Sequence, residues 1–240
     1  MSVSITKKII DKGYSILNLK RKNYKQISYS QCGEDLIMNF IFNNLRIEKP
    51  SYIDIGAHHP FWLSNTFFFY KKGSKGINIE PNPQLINQFY KYRKNDINLN
   101  IGISDRNDEL LFNIMSAPTM STFSLDEAKR LEQETAFRIV AQKKIIVKHI
   151  QSILEDYNSG IFPDFLSLDV EGLEEIILNS IDFENNYPKV ICLETISYSE
   201  KNDEKKDTGL INFLIKKGYF VYGDTYINTI FVKETIWRNR

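Results

Sequence analysis

The feature that most limits what this chain can fold into is a repeated unit. Short, nearly continuous apolar runs end in a glycine or a carboxylate, and each is followed by a segment with helical spacing. Tyr52 to Ala57 reads as a buried strand closing in a glycine turn, and Ser64-Asn65-Thr66 opens the apolar helix after it. Gly76 to Glu80 is a second strand, Pro81 to Arg93 a second helix, and Ile97 to Ser104 a third strand. Such alternation builds a parallel sheet, whose strands are covered on both faces and therefore lack a polar side. Phe165 to Asp169 and Val190 to Glu194 continue the series, with helices at Leu173 to Asn179 and Asp207 to Lys217. Tyr219 to Tyr222 and Thr229 to Lys233, around a Gly223-Asp224 loop, close it as two terminal strands. The fold class this predicts is α/β and Rossmann-like: a mixed, mostly parallel seven-stranded sheet with an antiparallel edge and helices on both faces.

Upstream of the first strand, Ser30 can cap a helix whose first turn holds Glu34 and Asp35, with Leu36, Ile37, Phe40, Ile41 and Leu45 at helical spacing. The rhythm breaks between Glu109 and Ile150. A hairpin strand over Leu110 to Met115, a polar loop over Ser116 to Thr122 and a helix around Leu125 to Ala141 are expected there, as an insertion on the acceptor side of a single domain spanning 30–240. Residues 1–29 form a basic arm or helix, fit for an anionic surface, a homo-oligomer contact or plain solvation. With 31 basic against 30 acidic residues, nothing drives the chain toward nucleic acid. Cys32 and Cys192 stand far apart without metal-ligand spacing, which suggests a reducing compartment. No run approaches a membrane span and no cleavable leader is evident, so a cytoplasmic location is expected.

Ligands of open α/β sheets bind beyond the carboxyl ends of the strands, and those positions are polar here. After the first strand come Asp54, Gly56, Ala57, His58 and His59, where a glycine lets backbone approach a ligand closely. The loop is not GxGxxG, which disfavours a nicotinamide dehydrogenase. Glu80 ends the second strand close to the roughly 20-residue offset at which an acid grips ribose hydroxyls; the plain alternative is a surface Glu introducing the Pro81-Asn82-Pro83 turn. Asp105 can accept from an adenine amino group while Ser104 fixes the turn, or be an ordinary turn residue. Asp169 and Glu171, two apart, project to one face as long as the strand continues. Two adjacent carboxylates then share a proton or a cation such as Mg²⁺, with Glu194 as a third oxygen ligand; alternatively Glu171 and Glu174 serve only the next helix.

The ordered series YIDIGAHHP at 52–60, INIEPNP at 77–83, IGISD at 101–105, LSLDVEGLE at 166–174 and ICLET at 191–195, with SQCGED at 30–35 and SNT at 64–66, resembles the FkbM-type methyltransferases of the class I fold. The resemblance implies S-adenosylmethionine as cofactor, with contacts near Asp54, Gly56, Glu80 and Asp105. It also implies a small-molecule hydroxyl acceptor: a nucleotide-activated sugar for a surface polysaccharide or glycosylated metabolite, with lipid, polyketide or peptide as the alternative. Many members carry Asn and Gly where this chain has His58 and Pro60, so loop contacts differ. Methyl transfer to a hydroxyl needs in-line positioning and a proton acceptor. Candidates are His58, His59, Asp169 and Glu171, with His59 the narrow choice among imidazoles; His149 lacks such context. Phe61, Trp62, Tyr70 and the Tyr222 to Tyr226 loop can shape the acceptor pocket. A cofactor-binding regulatory module is the non-enzymatic alternative.

Overall fold

A computed structural model describes residues 25–196 and 204–240, so most of the expected basic arm lies outside the described residues. The elements follow in order: α1 (Glu34–Asn44), β1 (Tyr52–Ile55), α2 (Phe67–Lys71), β2 (Gly76–Ile79), α3 (Pro83–Tyr92), β3 (Ile97–Leu99) and β4 (Gly102–Ser104). Next come β5 (Asp108–Met115), a 3-10 turn (Pro118–Met120), α4 (Leu125–Glu134), β6 (Ile139–His149), α5 (Ile150–Asn158), β7 (Phe165–Leu168) and α6 (Glu174–Asn179). β8 (Val190–Glu194), α7 (Thr208–Lys216), β9 (Tyr219–Asp224), β10 (Asn228–Lys233) and α8 (Glu234–Arg238) complete the chain.

Seven strands form one sheet in the order β3-β2-β1-β7-β8-β10-β9, the Rossmann-like arrangement of class I methyltransferases. All pairs among the first five are parallel, and β10 runs antiparallel to both β8 and β9. The chain leaves β1 toward β2 and β3, then returns to β7 on β1's other side. That reversal makes the crevice beyond the ends of β1 and β7 a topological switch point, where ligands of open α/β sheets bind. Ile55 and Leu168 are register partners, so both strands end level, and the Asp169 amide donates to the Ile55 carbonyl at 3.1 Å.

Strand alternation divides the side chains between two layers. Ile53, Ile55, Leu166, Leu168, Ile191 and Leu193 pack with α5, α6 and α7, while Tyr52, Phe165, Val190 and Cys192 pack with α1 and α2. Asp54, Asn78 and Ser167 share that second, α1/α2 face by register, so this layer must satisfy buried polar groups as well as apolar ones. Thr66 donates to Asp54 and Asn65 to Ser167, while Asn78 donates to Asp96 and Asn98, and among these groups lies Arg93, fully buried just past α3. Its guanidinium donates to Asp96 Oδ2 at 2.8 Å, the Tyr52 hydroxyl at 2.8 Å, the Pro60 carbonyl at 2.9 Å and Thr66 Oγ1 at 3.1 Å, with the Tyr70 ring beneath it at 4.7 Å.

Residues 97–104, expected as one strand, are two. β3 pairs with β2, and the chain then leaves the main sheet at Asn100, whose Nδ2 donates to the Glu80 and Pro81 carbonyls at 2.9 Å each. β4 joins a second sheet in the order β4-β6-β5, built mostly by residues 108–149. There the helix expected to reach Ala141 ends at Glu134, because Thr135 turns to an extended backbone and its hydroxyl closes on the Leu131 carbonyl at 2.7 Å. The β-branched run that follows pairs with β5 and buries Ile145 and Val147 at alternate positions. At the other end, α1 starts after a left-handed Gly33 rather than at Ser30, whose hydroxyl accepts the Asp35 amide at 3.3 Å.

Removing one partner of a buried ion pair leaves the other charge uncompensated. Arg93→Met is therefore expected to lower unfolding free energy by about 3–5 kcal/mol in urea titrations, and Asp96→Asn added to it should restore part of the loss. A shift under about 0.5 kcal/mol would show the network to be incidental.

Candidate active site

Beyond the carboxyl ends of β1, β2, β7 and β8 lies a cleft of about 570 Å³. β1 contributes Asp54, Gly56, Ala57 and His58; β2 contributes Glu80 and Pro81; β7 leads into Asp169, Val170 and Glu171, and β8 ends in Glu194. The segment between β5 and α4 supplies Met120, Ser121 and Phe123, closing the side opposite β1. A Cβ on Gly102 would fall 2.5 Å from the Phe123 ring, so glycine at that position lets the ring seat over β4.

Glu80 is buried, and its carboxylate is oriented by two backbone amides: His58 N donates to Oε2 at 2.9 Å and Asn82 N to Oε1 at 2.7 Å. Burial, with Asp169 and Asp54 adding to it against those amides, pushes its carboxyl up to about 7. One lone pair on each oxygen remains for a ligand hydroxyl. Asp54 is buried too, accepts from Thr66 Oγ1 at 2.7 Å and is raised by burial.

Gly56 serves the fold in a way its sequence reading missed. With φ of +78° it occupies the left-handed region, and a Cβ there would lie 1.7 Å from the Asp169 carbonyl oxygen. The backbone that approaches is the protein's own, crossing from the end of β7. The Gly56 and Ala57 amides both donate to the Ile79 carbonyl, at 3.0 and 3.1 Å, carrying the β1–β2 pairing into the turn.

The two neighbouring histidines part ways. His58 lines the cleft on a left-handed backbone of φ 52°, and both its ring nitrogens are buried without a hydrogen-bond partner. Burial, then His59, lowers its pKa and keeps it neutral. His59 is not in the cleft lining. Its Nδ1 accepts from the Trp62 amide at 3.0 Å and the Phe61 amide at 3.4 Å, which ties the lone pair a base would need into the loop. His149 Nδ1 caps α5 by accepting the Gln151 amide at 3.1 Å. Ser104 and Asp105, expected at the adenine, do not line the cleft either. β4 carries them into the second sheet, where Ser104 donates to Asp105 Oδ1 at 3.1 Å and Arg106 pairs with the same oxygen at 3.3 Å.

The three acids after β7 and β8 do converge: oxygens of Asp169, Glu171 and Glu194 lie within 4.8 Å of one another. The route differs from simple strand alternation, because β7 ends at Leu168 and Glu171 turns on a left-handed backbone of φ 52°. Glu174 holds that turn, accepting the Val170 amide at 3.1 Å and the Gly172 amide at 3.0 Å, while Thr122 Oγ1 donates to the Glu171 carbonyl at 2.7 Å. Asp169 opens to the cleft, yet the protein enclosing the recess raises all three carboxyls. The hydrogen bond between Glu194 and Asp169 pushes Glu194 further up and acts on Asp169 in the opposite direction, against the burial that raises it.

Six residues other than glycine adopt positive φ among the described residues, and four of them, His58, Leu63, Glu171 and Tyr226, line this cleft. Backbone strain of this kind persists where surrounding structure over-determines it, most often at functional sites. Trp62 and Tyr226 line the cleft, whereas Tyr70 lies under Arg93 and Tyr222 packs on Trp237 at 5.1 Å. Sequence reasoning missed Asn65, which lines the cleft and donates to Ser167 Oγ at 3.2 Å, and Glu174; only the SNT and VEGLE spacing hinted at them.

Among curated proteins none matches the chain. Solved structures of similar shape include a precorrin-6y C5,15-methyltransferase from Geobacter metallireducens, 13% identical, covering 88% of this chain and 94% of its own, at a TM-score of 0.40. Another is a putative RNA methyltransferase from Pyrococcus horikoshii, 11% identical, covering 90% and 95%, also at 0.40. The FkbM methyltransferase domain model matches residues 54–221, from Asp54 within β1 into β9, and the chain belongs to that methyltransferase family.

Proposed function

We propose that this chain transfers the methyl group of S-adenosylmethionine to a sugar hydroxyl, with Asp169 taking the hydroxyl proton. The observation that carries the reading is the donor set of one cleft. A buried carboxylate aimed by two amides, that of Glu80, lines the same cleft as three carboxylates whose oxygens lie within 4.8 Å of one another, Asp169 among them. These residues suit the cofactor. Glu80 can accept from the ribose hydroxyls; Ile79, Pro81, Ile103 and Phe123 offer apolar surface to the adenine, and the acidic lining favours a sulfonium cation. When bound, the cofactor supplies a methyl group already activated for displacement.

The protein's part is positioning and proton transfer. The Asp169 backbone is fixed by the hydrogen bond that its N–H donates to the Ile55 carbonyl and by its own carbonyl packed on Gly56, so its carboxylate has little freedom to drift from the acceptor oxygen. Glu194, holding its proton, keeps Asp169 ionised without adding a second negative charge beside it. Neutral His58 can donate or accept toward the ligand with its unpartnered nitrogens, but it is not needed as the base. The acceptor class is the one the family resemblance implies, and exposed aromatic rings at the cleft support it. A divalent cation is the other way to settle three clustered carboxylates. On the proton-sharing reading, turnover is unchanged after chelator treatment, and restoration by added Mg²⁺ would replace that reading with a metal-bound one.

Asp169→Asn is expected to cut methyl transfer from labelled cofactor by roughly 10²–10⁴-fold. Calorimetric affinity for S-adenosylhomocysteine should stay within a few fold, and unchanged turnover would remove Asp169 from the mechanism. For Glu80 the sign follows from its raised carboxyl. Below about 7 it carries a proton and loses an acceptor; above it, both oxygens accept. S-adenosylhomocysteine should therefore bind more tightly as pH rises through about 7, and Glu80→Gln should weaken binding by about 1.5–3 kcal/mol and flatten that profile. A pH-dependent affinity that persists in the variant would assign it to another group.

A further inference from the structure

We infer that the acceptor hydroxyl is carried on an uncharged sugar ring, a glycoside seated against Trp62 and Tyr226, and not on a nucleotide diphosphate. The inference rests on the sugar-methyltransferase reading and narrows the acceptor class that the family resemblance allows.

The charge of the lining is one-sided. Asp54, Glu80, Asp169, Glu171, Glu194 and Glu204 face the cleft, and no Lys or Arg does among the described residues. Protons shared among these acids reduce the negative charge but supply no positive one. A diphosphate is ordinarily held by cations or by free backbone amides. Five amides in the strand-end turns beside the cleft are already taken: His58 N by Glu80 at 2.9 Å, Val170 N and Gly172 N by Glu174, and Gly56 N and Ala57 N by the Ile79 carbonyl. An adjoining recess of about 350 Å³ shares Glu171 and Glu194 with the cleft. Its cations are occupied as well. Arg130 pairs with Glu127 and Glu134 at 2.6 Å each, Lys206 binds Asp224 at 2.9 Å and the Tyr226 carbonyl at 2.6 Å, and Lys205 also has a partner. Among the described residues, a diphosphate would displace one of these carboxylates to gain a cation.

What the cleft offers instead is aromatic surface. Trp62 is 57% exposed and Tyr226 60% exposed, although both line the cleft. Their backbones are not loose. The Trp62 amide donates to His59 Nδ1 at 3.0 Å; the Tyr226 amide donates to Asp224 Oδ1 at 2.7 Å, and its own φ is +75°. Anchored main chain beneath solvent-facing rings gives rigid contact area at little entropic cost. The apolar face of a pyranose fits such a surface without any counter-charge.

The test uses the full chain with labelled S-adenosylmethionine, offering methyl glycosides of common hexoses and deoxyhexoses beside the nucleoside-diphosphate forms of the same sugars. Transfer is expected to favour the glycosides by roughly tenfold or more in kcat/KM. Trp62→Ala and Tyr226→Ala should each raise glycoside KM roughly tenfold while affinity for S-adenosylhomocysteine holds. Because the chain has two tryptophans, Trp237→Phe leaves Trp62 as the sole indole reporter, and its emission should shift on glycoside addition. Preference for the diphosphate sugars, or unchanged KM in both aromatic variants, overturns this inference alone. Transfer to neither class, with S-adenosylhomocysteine bound, overturns it together with the sugar reading.

Discussion

The arrangement of the cleft depends on a guanidinium that never touches it. Arg93 lies where β1, β2 and the start of α2 meet, on a sheet face that carries a phenol, an amide and two carboxylates where an ordinary α/β core would be apolar. Each of these groups would be costly to bury alone. One planar donor reaches Asp96, the Tyr52 phenol and the Asn78 amide directly, which an ammonium could not match because it lacks the fork geometry. The same guanidinium grips the loop after β1 at both ends, through the Pro60 carbonyl and through Thr66, and Thr66 passes the contact on to Asp54. Positioning of the first cleft carboxylate is thus a property of the core.

A second constraint comes from the opposite wall. The residues between β5 and α4 are held to the turn after β7 by Thr122, whose hydroxyl reaches the Glu171 carbonyl, and to β4 by Phe123, which fits over Gly102. In the turn that Thr122 meets, Glu171 and Gly172 take left-handed conformations. Glu171 is the costly one, since a side chain there loses the freedom glycine would keep. Its amide neighbours are held by Glu174, so the strain is maintained by hydrogen bonds on both sides. Convergence of three acids within 4.8 Å is what the strain maintains.

These features differ in how far the amino-acid sequence displays them. The parallel core was legible because strands buried on both faces leave unbroken apolar runs, and glycine or acid ends marked β1, β2, β7 and β8. Glu80 could be read from its offset to Gly56, and Asp169 from being a charge at the end of an apolar strand. β6 was not legible, since Ile139 to His149 follows a good helical pattern and only pairing with β5 reveals its period of two. Asp105 and His59 lie outside the cleft lining for a shared reason. Each stands beside the expected strand end, but its side chain is engaged by near neighbours in the chain, Asp105 by Arg106 and His59 by the Phe61 and Trp62 amides. Arg93 left no local signal, because nothing at the end of a helix marks an arginine for burial.

The proposed chemistry also explains why a cleft so poor in positive charge can work. Before transfer it holds a sulfonium cation and the Asp169 carboxylate; afterwards it holds a thioether and a carboxylic acid. The reaction cancels one positive and one negative charge in place, and cancellation costs least where water is scarce and the dielectric is low. Enclosure that raises the carboxyls is then not merely tolerated. It makes Asp169 a stronger proton acceptor than a solvated aspartate, while Glu194 absorbs the extra negative charge by keeping its proton. The lining also separates reactant from product, because its acids attract the charged cofactor and have no such hold on the neutral one left behind. A phosphate-bearing acceptor would break this balance by bringing charge that no step removes. An uncharged ring leaves it intact.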